Sequence, residues 1–477
     1  MIIALFLCAG VFAVAGLAYA LWTGGDQTVE DYVAARGRFG TGATTATLFA
    51  SAMGSWILFG PPEAATWGGL PAIAGYTLGA ALPSLLYIPL GRRLRALMPD
   101  GHALTEFVRH RYGRAMHVYV LTIMIFYLFI ALCAQVTGMA FLMRLVADVP
   151  LALTAGVVLI ATVAYTALGG LRTSVVTDGV QSLLLLPLLG AGALLAVLGL
   201  GDVDTLTNGI ATQAPDLLTW THGPGVEGGL ALVIGIGAAS LFNQGTWQRV
   251  YAAENAQALR TGFVTVSATM AVTVAGTGLL GLAAVGAGAA SPPSTVLFNV
   301  LLDSAPAGVG LGLVLLGLTL VMSSADTVLN ALASLVAVDL RQLRPSLPAA
   351  TLLRVARWTT AALAVPVFVI ASQGLSVLYL FLVADLVCAA AVVPVFGGLL
   401  SDRLPNRAAL WGLTAGLAVG GVLFPAPGAA TPTLLPAFTA ALVVPALVAA
   451  PITLLSSEPD FDRATLQQSI TPLDDGP

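Results

Sequence analysis

The chain has 477 residues, 58% of them apolar and 9% charged, with a formal net charge of -4. A charged fraction so far below the ~25% of soluble domains, with a mean hydropathy of +0.93, excludes a soluble enzyme on one anchor and excludes a disordered chain. Cys8, Cys133 and Cys388 are too scattered for a disulfide framework or a metal site, and the charges are too few to build a basic groove for nucleic acid.

What is left is a polytopic membrane protein. Apolar runs of roughly 20 residues predict thirteen spans: 3–22, 42–69, 71–97, 115–145, 150–169, 175–200, 229–253, 262–288, 307–338, 355–372, 375–400, 408–424 and 433–455. The expected fold is all-α, because a β-barrel shows alternating segments of ~10 residues. Segment 1–22 carries a cleavage-like Ala18-Tyr19-Ala20 but no positive leader, and is read as a retained helix. Residues 1–455 form one transmembrane domain and 456–477, rich in acids and Pro, a disordered cytoplasmic tail.

Orientation follows from arginine, since all 19 basic residues are Arg. With the N-terminus outside, every one except Arg144 falls at cytoplasmic loops or in the tail, while the outer loop 201–228 carries Asp202, Asp204, Asp216 and Glu227. This is the positive-inside pattern of a multi-pass protein of the cell (inner) membrane.

Two spans are damaged as helices. In the second, Gly54 is followed by Gly60-Pro61-Pro62, and the proline pair is expected to break the helix. In the seventh, Gly235, Gly237, Asn243, Gln244 and Gly245 interrupt the run. Breaks at membrane depth are tolerated where they line a cavity or bury in protein. The two lie five spans apart, as expected if two inverted repeats, about 42–200 and 229–400, each open with a broken helix.

Several runs carry a resemblance. Tyr165-Thr166-Ala167-Leu168-Gly169-Gly170-Leu171-Arg172 with Thr177-Asp178 and Gln181 is similar to the signature of the sodium:solute symporter family. So are Trp247-Gln248-Arg249 with Ala252-Ala253, Met322-Ser323-Ser324-Ala325-Asp326, and the arm Asp31-Tyr32-Val33-Ala34-Ala35-Arg36. The resemblance implies a leucine-transporter-type inverted-repeat fold and sodium-driven uptake of a small solute. It also implies the family's common Na+ site: the carbonyls of Ala50, Met53 and Leu320 with the hydroxyls of Ser323 and Ser324. Physically, Na+ is a hard ion that suits hydroxyls and carbonyls freed at a helix break, and residues 320, 323, 324 and 327 share one helical face. A second sodium, as in some relatives, would use Asp178, Ser323, Asp326 and Thr327. Two facing carboxylates without a cation would repel.

Intramembrane polar groups mark function by default. Trp56, Glu63, Gln135, Asn243, Gln244 and Asp385 are the candidate solute contacts, with Glu63 alternatively capping the half-helix after the proline pair. An amino acid, a short carboxylate, an amide or a similar metabolite all fit this list. The four histidines (His102, His110, His117 and His222) lie in loops or at helix ends with no catalytic grouping, so no enzyme is expected. Alternatives are proton coupling through Asp178 or Asp326, and a transporter-like sensor.

Overall fold

A computed structural model describes residues 2–23, 28–200, 202–289, 291–303, 308–426, 434–468 and 473–474. In chain order the helices are α1 (Ile2–Thr23), α2 (Val29–Val33), α3 (Thr41–Ala52), α4 (Trp56–Leu97), α5 (Leu104–Tyr112) and α6 (Arg114–Ala147). There follow α7 (Leu151–Leu200), α8 (Val203–Gln213), α9 (Gly223–Ser240), α10 (Gln244–Ala252), α11 (Ala256–Gly286) and α12 (Val296–Asp303). The last are α13 (Val309–Leu343), α14 (Ala349–Ala371), α15 (Val377–Leu400), α16 (Asn406–Leu423), α17 (Leu434–Leu454) and α18 (Ala464–Gln468). Among the described residues there is no strand, but an isolated parallel bridge pairs Phe39 with Ala253.

Among the described residues, ten helices are long and apolar enough to cross a membrane. The expected thirteen spans differ from these ten in how α4 and α7 are divided and in counting α16. A straight helix of 42 residues, the length of α4, would run ~63 Å, twice the ~30 Å apolar core of a bilayer. It is divided at Gly69 (φ 57°, ψ -147°), and α7 is divided at Gly170 (φ 59°, ψ -158°). Both glycines hold backbone conformations that a side chain disfavours. At Gly170 a Cβ would also meet the Tyr32 ring at 2.5 Å, so arm helix α2 can pack onto this turn only because the residue is glycine.

Burial orders the layers. In α13, 72% of the apolar window is buried, against 22% in α1 and 17% in α14. Helix α13 therefore runs through the middle, against α6, α7 and α14, while α1 and α14 lie at the edge. Helix α4 packs along α9 and α11, and the α16–α17 pair lies against α15.

Both broken spans are present, but the first breaks upstream of the proline pair. Helix α3 ends at Ala52, Met53 is extended (φ -85°, ψ 102°), and α4 begins at Trp56. Pro61 and Pro62 lie inside α4, in its second turn. Their missing N–H groups deprive the Ile57 and Leu58 carbonyls of helical partners without ending the helix. Gly54 explains the location. A Cβ there would meet the Gln135 amide at 2.2 Å, and Gln135 Oε1 accepts the freed Ser55 N–H at 2.7 Å. The second break falls at residues 241–243, between α9 and α10, as expected.

The segment after residue 455 makes defined contacts in its described part. Arg463 pairs with Asp402, the Arg111 guanidinium lies 4.6 Å from the Phe461 ring centre, and Leu466 is buried. Those contacts are at odds with a disordered tail over residues 461–466.

Candidate functional site

The two breaks face one cavity of about 140 Å³. Trp56 follows the first break and stacks on Tyr76, with ring centres 5.9 Å apart and planes at 6°. Asn243 caps α10, its Oδ1 accepting the Thr246 N–H at 3.3 Å. Gln135 lines the cavity from α6 while its Oε1 accepts both the Ser55 N–H and the Ser55 hydroxyl. Asp385 on α15 completes this set: it is 3% exposed, lines the cavity, and has no hydrogen-bond or ionic partner among the described residues. Trp56, Gln135, Asn243 and Asp385 are thus brought together as expected from the sequence.

Glu63 and Gln244 do not join them. Glu63 lies inside α4, not at its start, and both carboxylate oxygens are 3.4 Å from the hydroxyl of Ser376, the N-cap of α15. The capping expectation failed because the break sits at residues 53–55, two turns before Glu63. Gln244 turns away from the cavity, and its Nε2 donates to the His102 carbonyl at 2.9 Å.

Beside the cavity, α3 meets α13. The carbonyls of Ala50, Ser51 and Ala52 fall at the C-terminal end of α3, where helical donors run out. Ser324 Oγ donates to the Met53 carbonyl at 3.0 Å. Leu320, Ser323 and Ser324 present one buried face of α13. These neutral oxygen donors fit a hard monovalent cation. Ser323 is drawn the other way, donating to Asp178 Oδ1 at 2.5 Å.

Deeper in lies a charged network. Asp178 Oδ2 accepts from Thr47 Oγ1 at 2.6 Å and from Arg249 Nη2 at 2.8 Å. Arg249 also donates to Thr47 Oγ1 (2.7 Å), the Gly245 carbonyl (3.0 Å) and Thr327 Oγ1 (2.8 Å). Asp326 takes four hydroxyls, from Tyr165 (3.0 Å), Ser174 (3.0 Å), Thr177 (3.2 Å) and Thr327 (3.4 Å). Asp178, Ser323, Asp326 and Thr327 do converge, but around a guanidinium. Arg249 is fully buried, not at a loop, and Arg111 and Arg341 are buried as well.

At the arginine-rich end, His102 sits between two carboxylates. Its Nε2 is 2.5 Å from Glu30 and its Nδ1 3.3 Å from Glu106. Burial opposes charge on the ring, but Glu106 and Glu30 outweigh it and push the His102 pKa up to about 9. Burial likewise works to raise Glu30 and Glu106, and His102 holds both below the ordinary carboxylate value, joined by Arg36 at Glu30. Arg36 adds bonds to Glu30 and to the Pro99 and Gly101 carbonyls. His117, also placed at a helix end without a role, is fully buried against Asp339.

Sequence reading missed Arg249 as a site residue, along with Thr47, Tyr165, Ser174, Thr177 and His102. Arg249 stood in a quoted motif, yet its place near the end of an apolar run made it read as a loop charge. Tyr165 and Thr177 likewise stood in the quoted signature without being read as ligands. Thr47 and Ser174 gave no signal, because Ser and Thr on membrane helices mostly bond back one turn, as Thr137 and Thr162 do here.

Comparison with known proteins places this site in a family. The structure is similar to a Na+-coupled sialic acid symporter in a substrate-bound outward-open state, with a TM-score of 0.72, 17% identity, and 96% of this chain and 98% of the other covered. It is also similar to Mhp1, a nucleobase-cation-symport-1 family transporter, at TM-score 0.52, 14% identity and 92% and 98% coverage. Over 359 residues it is 26% identical to the spermidine transporter DUR31 of Candida albicans, covering 73% of this chain and 66% of that protein. Over 238 residues it is 29% identical to the sodium/pantothenate symporter of Haemophilus influenzae, covering 45% and 44%. The chain thus spans less than two thirds of the length of either curated relative. The family and these relatives are transporters, not enzymes. The model of the sodium:solute symporter family matches residues 32–416, and the chain belongs to that family as a multi-pass membrane protein.

Proposed function

We propose that the chain is a sodium-coupled symporter that imports a small polar organic solute by alternating access. One observation carries the reading: Ser324 on α13 bonds the Met53 carbonyl at the end of α3, beside the cavity that both broken helices line. An ion held there by Ala50, Met53, Leu320, Ser323 and Ser324 would join α3 to α13 and so link ion binding to the shape of the solute chamber. The positive-inside distribution of arginine supports an outer N-terminus and a cytoplasmic arginine-rich end. On that orientation the Arg36–Glu30–His102 network closes the cytoplasmic side.

The charge count of the deep network favours a second coupled cation. Asp178 and Asp326 are countered by Arg249 alone among the described side chains that bond them, which leaves one negative charge without a partner when both acids are ionised. A second sodium or a proton at Asp326 balances it. Uptake of labelled solutes into proteoliposomes under separate Na+ and H+ gradients tests both readings. Accumulation driven by Na+ alone supports the first, and accumulation driven only by H+ replaces it.

A further inference from the structure

The two curated relatives named for a solute carry ions of opposite sign, so the substrate class has to come from the cavity itself. The cavity's chemistry is lopsided. Asp385 is its one carboxylate among the described lining residues, 3% exposed and without a protein partner. Burying an ionised carboxylate costs several kcal/mol unless a cation or hydrogen-bond donors meet it. Elsewhere in this protein that cost is met: Asp178 has Arg249, Asp326 has four hydroxyls and Glu106 has His102. At Asp385 no described residue does so.

Around it stand rings. Trp56 and Tyr76 form a stacked wall, and Tyr87, Tyr127 and Phe381 line the same chamber, with Phe381 one helical turn before Asp385. Aromatic faces are negative and attract ammonium groups, most strongly when water is excluded. Among the described lining residues there is no arginine, so they offer no fixed cation to a carboxylate or phosphate solute.

The approach agrees in sign. Glu63 is bonded by Ser376, the N-cap of α15, and Ser376 lies nine residues before Asp385, about 13 Å along the helix. This is the end of the bundle that also carries Asp148, Asp202, Asp204, Asp216 and Glu227 against Arg144. An excess of acids at that end raises the local concentration of cations.

The geometry points to a small organic cation, bearing a primary amine or a quaternary ammonium, as the transported solute, with Asp385 its counter-ion and the aromatic rings its cage. This rests on the symporter reading and names the substrate class of the same cavity.

Thermal unfolding of the purified full chain, in NaCl and in KCl, tests it. The probes are putrescine, spermidine and choline as cations, proline as a zwitterion, pantothenate as an anion and urea as a neutral solute. At least one of the three cations is expected to raise the midpoint in NaCl. Asp385→Asn should weaken that cation by about 30-fold or more, and Asp385→Glu, which keeps the charge, should retain part of the shift. The proposal is overturned if no cation acts, if the cation effect survives Asp385→Asn undiminished, or if pantothenate or urea gives the shift instead. Sodium alone, without solute, reads the ion site separately. Its shift should persist in Asp385→Asn, and its absence from the wild-type chain overturns sodium coupling whatever the amines do.

Discussion

Arg249 reaches Asp178 with a 2.8 Å bond from Nη2 to Oδ2, and neither side chain is more than 1% exposed. An arginine from α10, one half of the second broken helix, thus neutralises an acid on α7, while Thr47 from α3, one half of the first, bonds both. The pair joins the two repeats at their cores. Breaking a buried ion pair from one side leaves an unmatched charge and costs about 3–5 kcal/mol. Arg249→Met should therefore lower the unfolding midpoint sharply. Arg249→Met with Asp178→Asn should recover part of the loss; equal midpoints for the single and double variants would show that the pair is not the source.

Removing the α13 hydroxyls should weaken sodium binding. Each charge-linked hydrogen-bond partner is worth about 1.5–3 kcal/mol, so Ser323→Ala with Ser324→Ala should raise the half-saturating sodium concentration of uptake by about tenfold or more. An unchanged sodium dependence in the double variant removes these residues from the ion site.

Within the deep network Asp326 is the acid without a direct ion pair, and its fate reads out the number of coupled ions. Reversal-potential measurements should give one more cation per solute in the native protein than in Asp326→Ala. Varying pH and sodium in turn identifies that cation. The same ratio in both proteins leaves Asp326 with a structural role only.

The arginine-rich end should loosen at both extremes of pH. For His102 the pKa is raised above the ordinary value, to about 9. Its contribution is therefore complete below the unfolded-state value of ~6.5 and is lost as pH rises through about 9. Glu30 and Glu106 have lowered values, so their contribution is present above the unfolded value of ~4.3 and fades as pH falls below it. Hydrogen exchange of α2 and residues 98–103 should be slowest in between. In His102→Gln the alkaline rise should vanish and the acid rise should shrink to what Arg36 at Glu30 and the backbone N–H groups at Glu106 sustain.

Class and broken-helix plan were legible because both rest on long-range composition: apolar runs for spans, Gly and polar clusters for breaks. The exact break was not, since two prolines look like the stronger breaker, and only packing against Gln135 shows why Gly54 yields first. Asp178, Ser323, Asp326 and Thr327 could be grouped because helical spacing and a motif put them on facing surfaces. Arg249 escaped because a sequence shows where a charge sits along a helix and not how far its side chain reaches inward. Gln244 failed for the related reason that neighbours on a helix point in different directions, Asn243 to the cavity and Gln244 to the His102 carbonyl.

The short bridge near the arginine-rich end has a mechanical consequence. The Gly37 and Phe39 amides donate to Tyr251 and Ala252, and Glu254 donates back to Phe39, at 2.9–3.1 Å. These bonds lash the strap leading into α3 to the residues where α10 ends. Half-helices from opposite repeats are thereby yoked side by side, and one cannot swing from the bundle alone without tearing three backbone bonds. Motion at that end is then a single stroke of a two-armed lever, with the solute chamber at its pivot.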